Sequence, residues 1–264
     1  GRTLFASWKL ADTSSSVDAL WMFGGLGAAE TALSDLWSYA SSWERHGGVR
    51  TALPVHGTLG QASASSWPGA RWGMASWAGA GADGVTLFGG QGTDPHGTAG
   101  QLADLWHLSD QLVWRWVGGT QDAGASAEIG WPSARRLALA WQDGDDAMLL
   151  LGGEVACAAG DGSWCYLEDL WRLDSGDHSF ARLTAGSDDA PRQYTNQHTA
   201  DEHSWLPGRS GAVGWQDSTG AQHVLGGQDA RGTLSDFWFL PQWCKNHTVE
   251  SSPTAACSGT VGTT

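Results

Sequence analysis

Positive charge is scarce in this 264-residue chain: 14 Lys and Arg, of which only two are Lys, stand against 28 Asp and Glu, for a formal net charge of −14. Charged residues reach only 16%, below the ~25% of ordinary soluble domains. No cluster of Lys or Arg offsets the acidic balance, so phosphate backbones and anionic lipid surfaces are repelled and nucleic acid is excluded as a partner. Long apolar runs are missing too. The longest end in Gly-Gly, well short of the ~20 residues of a spanning helix, and no membrane insertion is expected. Ile occurs once, as Ile129, whereas Gly occurs 38 times in 264 residues, about twice the usual ~7%. That composition suits turns and short strands and argues against a helical bundle. The sequence opens at Gly1 with no signal-peptide pattern before it, as expected of a processed chain or of part of a longer one.

Cysteine is nearly as sparse, with four residues and no CxxC spacing of the zinc or thioredoxin type. Cys157 with Cys165, and Cys244 with Cys257, lie in Gly/Ser/Ala-rich surroundings and read as two local disulfides. Asn246-His247-Thr248 is an acceptor triplet for N-glycosylation. Together these features point to an extracellular or cell-surface protein.

What the sequence does have is internal repetition. Four segments each open with an Arg six residues before a Trp: Arg2 and Trp8, Arg71 and Trp77, Arg135 and Trp141, Arg209 and Trp215. An apolar run into a double Gly follows, at Gly24-Gly25, Gly89-Gly90, Gly152-Gly153 and Gly226-Gly227. Third comes an acidic residue two before a Trp: Asp35 and Trp37, Asp104 and Trp106, Asp169 and Trp171, Asp236 and Trp238. Short apolar segments separated by Gly, Asp and Ser read as antiparallel meanders. Strand a falls at about 2–9, 71–78, 135–142 and 209–216. Strand b ends at the double Gly and strand c carries the Asp and Trp. Strand d holds Trp43, then Trp114 and Trp116, then Phe180 with Leu183. One such sheet repeated radially is a β-propeller.

The double Gly after an apolar strand, the Asp-Leu-Trp and the Trp of the closing strand resemble kelch repeats. The stretch from Val55-His56-Gly57 through Trp67-Pro68-Gly69-Ala70-Arg71 to Phe88-Gly89-Gly90 is similar to the long, roughly 65-residue kelch repeats of secreted and surface proteins. The resemblance covers residues 1 to about 241. It implies an all-β, kelch-type β-propeller with four four-stranded blades in view, and no single activity. The fourth blade is incomplete, stopping after strand c at Phe239-Leu240-Pro241, so four blades close by themselves or the chain forms part of a larger propeller. The expected organisation is a propeller over 1–243, with repeats at about 1–69, 70–133, 134–207 and 208–243. A disulfide-closed, Ser/Thr-rich tail or linker occupies 244–264.

Four copies at one spacing serve architecture more naturally than a single active site. The repeated Arg and Asp are therefore expected to tie strands or blades together, and the strand-a and strand-c Trp to be buried between sheets. The non-repeating Trp72, Trp164 and Trp243 are the better candidates for stacking on a ligand. Gly25-Leu26-Gly27 lacks the third Gly of a dinucleotide fingerprint and reads as the turn of the repeat. The copper centre of galactose oxidase, a kelch-like enzyme, needs two Tyr, two His and a Cys cross-linked to one Tyr. Here the Tyr are Tyr39, Tyr166 and Tyr194, and the Cys are assigned to disulfides. No nucleophile elbow is present. His198, Asp201, Glu202 and His203 form the one dense group of metal-type side chains, explained by loop composition with a divalent ion as the alternative.

In a meander the b–c and d–a connections share one face, and the long segments 47–69, 91–101, 118–133, 154–166 and 184–207 are nearly all of that kind. Recognition is expected there. The sequence thus reads as a non-catalytic extracellular interaction or assembly module of a surface or matrix glycoprotein, without cofactor. Its partner is a protein or glycan at the loop face, and the open blade edge is available for self-association into filaments. The alternative is a secreted glycan-binding or carbohydrate-active propeller using the same loops.

Overall fold

The computed structural model describes residues 1–10, 19–49, 51–78, 84–125, 128–143, 147–157, 161–183 and 206–240. The chain divides into two compact units, Gly1–Arg136 and Leu137–Thr264.

In the first unit, β1 (Ala6–Leu10), β2 (Ala19–Leu26), β3 (Ala32–Tyr39) and β4 (Trp43–Gly47) form an antiparallel meander in chain order. A second meander follows: β5 (Arg71–Trp72) and β6 (Ala75–Ala78) both pair with β7 (Val85–Thr93), which continues to β8 (Ala99–Leu108) and β9 (Trp114–Thr120). In the second unit, β10 (Leu139–Asp143) and β11 (Ala147–Leu151) are followed by a separate hairpin, β12 (Glu154–Ala156) with β13 (Trp164–Tyr166). The sheet resumes with β14 (Leu170–Asp174) and β15 (Phe180–Arg182). The last sheet has three strands among the described residues, β16 (Val213–Gln216), β17 (Gln222–Asp229) and β18 (Gly232–Leu240). The fold is all-β, of the β-propeller class, with four antiparallel blade sheets. One 3-10 turn, Ala28–Glu30, is the only helical element among the described residues.

Strand periodicity of two decides what each blade buries. In the first unit Ala6, Trp8, Phe23 and Leu36 share one face of the first sheet. They pack against Val85, Leu87, Trp106 and Leu108 of the second sheet. In the second unit Trp141, Leu149, Leu151 and Leu170 meet Val224 and Trp238 in the same way. Trp8 and Trp141 of strand a thus face the following blade, and Trp106 and Trp238 of strand c the preceding one.

Strand a differs from its expected continuous run. Two residues after each repeated Arg the backbone turns to positive φ, at Leu4 (54°), Gly73 (64°), Leu137 (55°) and Gly211 (62°). The break splits β5 from β6 and leaves single bridges at Thr3 and Ser210. It also joins blades, because the Gly73 N–H donates to Leu4 O at 2.8 Å and the Gly211 N–H to Leu137 O at 2.9 Å. A second correction concerns 91–101, expected as an irregular connection: β7 and β8 extend through it as a paired hairpin. Strand d of the fourth repeat, the tail 244–264 and most of 184–207 lie outside the described residues.

The double Gly has a steric cause. Both members take positive φ in every repeat, at 64° and 101°, 65° and 97°, 61° and 99°, and 63° and 96°. A Cβ on the first would stand 2.7 to 2.9 Å from the carbonyl oxygen of the next repeat's Arg, at Gly24 with Arg71, Gly89 with Arg135 and Gly152 with Arg209. The second Gly's N–H holds that same carbonyl, Gly90 to Arg135 O and Gly153 to Arg209 O, both at 2.8 Å. Gly89→Ala is expected to destabilise the protein by more than the ~1–2 kcal/mol of a left-handed Ala. Gly97→Ala, where φ is 87° but nothing lies within 4 Å of the Cβ, is expected to cost only the backbone term. Denaturant titration of the two variants compares them directly.

Candidate functional site

The repeated charges are built from strand c outward. Side chains two apart on a strand point the same way, so each Asp accepts the indole N–H of the Trp two residues on. The distances are 2.7 Å for Trp37 to Asp35, 2.7 Å for Trp106 to Asp104, 2.5 Å for Trp171 to Asp169 and 2.6 Å for Trp238 to Asp236. The Arg that opens the repeat adds a two-pronged pair: Arg2 to Asp35 at 2.6 and 2.9 Å, Arg71 to Asp104 at 2.6 and 2.8 Å, and Arg209 to Asp236 at 2.7 and 2.8 Å. The same guanidinium donates to the first Gly oxygen of its own repeat, Gly24, Gly89 or Gly226. Arg135 and Asp169 of the third repeat are buried, and Arg135 donates to Ser133 O and Oγ.

Asp104 carries one more partner. His56 Nε2 lies 3.2 Å from its Oδ2, with the imidazole between Trp106 and Trp116 at ring-centroid distances of 4.9 and 5.0 Å. Burial pushes the Asp104 carboxyl up, but the Arg71 charge and the hydrogen bonds from Arg71, His56 and Trp106 outweigh it and hold the group well below its ordinary value. Asp35 and Asp236 are lowered on the same balance of burial against Arg and Trp donors. With its oxygens committed to four N–H groups, Asp104 has nothing to offer a ligand. His56 comes from segment 47–69, expected as an open connection. That segment instead runs along the edge of β9, bridging Ala62 to Arg115 and donating the Gly60 N–H to Trp116 O. The sequence places His56 in the kelch-like stretch but does not mark its carboxylate partner, which is 48 residues away.

On the loop side, Asp94 at the β7–β8 tip accepts the N–H groups of His96 and Thr98, and that of Ala123 from the connection after β9. The Gly124 N–H reaches Gln101 O at 2.8 Å. The b–c hairpin and the start of the d–a connection of this blade therefore meet on one side, where His96 and Asp122 stand exposed 3.6 Å apart. In the second unit, Cys157 and Cys165 form a disulfide closing the β12–β13 hairpin, with Cα atoms 5.1 Å apart. Glu154 of that hairpin is buried and accepts Ser210 Oγ at 2.7 Å and Gln228 Nε2 at 3.2 Å.

Of the non-repeating Trp, Trp72 is half-buried under the Arg136 guanidinium at 4.6 Å, and Trp164 is half-buried opposite Ala156. Trp215 is a correction: expected in a core, it is 42% exposed and stacks on His223. Tyr39 and Tyr166 lie on β3 and β13. Trp243, Tyr194, Cys244, Cys257, Asn246 and the His198, Asp201, Glu202, His203 group lie outside the described residues. Among those described, no group of three or more His, Cys, Asp or Glu could hold a metal ion.

The blades, their Arg–Asp joints and the paired loop side define a propeller-class scaffold. No protein-family model matches the chain, and the search of curated proteins found no match. Among solved structures, the chain is similar to one titled "Structure of YjhT", with TM-score 0.51 and 13% identity, covering 97% of this chain and 67% of that one. That likeness shows the fold alone.

Asp104→Asn would leave Arg71 buried without its counter-charge, and a loss of about 3–5 kcal/mol is expected. The folded-state pKa of these carboxylates lies below the unfolded value of 3.8. Their contribution is thus complete above that value and lost as pH falls below it. Acid titration followed by Trp fluorescence is expected to show stability falling below about pH 4, less steeply in the Asn variant.

Proposed function

We propose that the chain is a kelch-repeat propeller acting as a non-catalytic interaction module of an extracellular surface or matrix glycoprotein, binding a protein or glycan on the b–c/d–a loop side. The supporting observation is a division of labour. The repeated Arg and Asp are buried in ties within their blades, while in the second blade the β7–β8 tip and the connection after β9 meet on one side with His96 and Asp122 exposed. Loops carried on a rigid scaffold are where recognition is usually placed. The Cys157–Cys165 disulfide fits an oxidising compartment. No helix among the described residues is long and apolar enough to cross a membrane.

The same reading includes a propeller over 1–243, a Cys244–Cys257 loop, a glycan at Asn246 in the tail, and self-association through the outer edge of the fourth blade. A glycan-binding or carbohydrate-active propeller is the second reading, favoured by the half-buried Trp164 on the disulfide-closed hairpin.

A glycan array run beside hydrolase and oxidase screens separates the two. The expected outcome is no turnover, with any binding lost when loop residues such as His96 and Asp122 are replaced. Turnover of a sugar substrate would overturn the non-catalytic assignment. Non-reducing peptide mapping of secreted protein is expected to recover Cys157 with Cys165 and Cys244 with Cys257.

A further inference from the structure

Within each unit two neighbouring blades meet at equivalent repeat positions. In the first unit Trp8 of strand a shares one buried cluster with Val85 of the next blade, the two being 5% and 0% exposed. In the second unit the same positions hold Trp141, six residues after Arg135, and Gln222, four residues before Gly226. A seam that is apolar at this point in one unit therefore carries an amide in the other.

Gln222 is directed toward the third blade by its neighbours on β17. Side chains two apart on a strand share a face, and Val224 packs with Trp141 in the core of the second unit. Gly214, the cross-strand partner of Val224, lies so close to strand a of the third blade that an added Cβ would stand 2.6 Å from Leu139 Cδ2. Gln222 is 1% exposed and Trp141 7%. Neither end of the Gln222 amide has a hydrogen-bond partner among the described residues, and neither does the Trp141 indole N–H.

Buried polar groups without partners are rare, because each forfeits the hydrogen bonds that it makes to water in the unfolded chain. Here an indole donor, an amide donor and an amide acceptor fall in one seam. None of them is charged, so they present no counter-charge to an ion. Water matches the set, since it accepts from an N–H and donates to a carbonyl. Two to four such partners are roughly what a buried water takes.

We propose that an ordered water is bound in the seam between the third and fourth blades, where it accepts the Trp141 indole N–H and hydrogen-bonds the Gln222 amide. The site serves either orientation of that amide, because water both donates and accepts. A polar seat of this kind makes the seam selective: the third-blade Trp is matched to Gln222 through water, whereas Trp8 is matched to Val85 by direct apolar contact. The site lies wholly within the second unit and stands independently of the loop-side ligand.

Solution NMR of the full, isotope-labelled chain tests it through the indole N–H signals, with that of Trp141 identified by its loss in Trp141→Phe. A cross-peak from the Trp141 indole N–H to a long-lived water is expected. Gln222→Val, which installs the residue of the second blade, is expected to keep the melting transition and to weaken that cross-peak roughly tenfold or more, since one partner alone does not hold a buried water. Should Gln222→Val lose its melting transition, a high-resolution crystal structure of the wild type decides the matter. A water is then expected about 2.7–3.2 Å from Trp141 Nε1 and from one end of the Gln222 amide. A dry seam, a Trp141 indole that donates directly to Gln222, or a cross-peak unchanged in Gln222→Val would each overturn the proposal.

Discussion

A carboxylate taken out of water stays ionised only if its surroundings replace the hydration it loses. At Asp104 the replacement is complete: two guanidinium N–H groups of Arg71, the Trp106 indole and His56 converge on two oxygens. That convergence fixes the start of strand a relative to strand c and seats the strand-c Trp in the seam with the preceding blade. The aromatic packing, the double-Gly turn and the position of segment 47–69 all depend on it.

The backbone is shaped around the same joint. Arg71 spans its own blade through its side chain, reaching Gly89 O and Asp104, while its carbonyl lies against Gly24 of the blade before. A side chain at Gly24 would occupy the space of that carbonyl. The positive φ two residues later, whether at Gly73 or Leu4, redirects strand a into its pairing with strand b after the Arg has been placed. Each such Arg therefore ties its own blade together through a charge pair and meets the blade before through its backbone carbonyl.

This division separates stability from recognition. Groups that would draw attention as a charged constellation are sequestered, and the chain's variable chemistry is left to hairpin tips and the disulfide-closed β12–β13 arm.

The repeat period, the four blades and a structural tie from each Arg to backbone carbonyls or the repeated Asp were legible in the sequence by itself, whereas the indole donation of Trp to Asp came from the structure. They rest on spacing along the chain: Asp and Trp two apart share a strand face, and a double Gly signals backbone that other residues cannot adopt. The partner of His56 was not legible, nor was the burial of Glu154 against Ser210 and Gln228, because those partners lie 48 to 74 residues apart and follow no period. The break in strand a was hidden for another reason, since Leu4 and Leu137 take a conformation that their side chains do not announce. Trp215 makes the same point about burial. Its place in the repeat matches Trp8 and Trp141, yet whether a sheet face is buried depends on what packs across it, which only the tertiary structure decides.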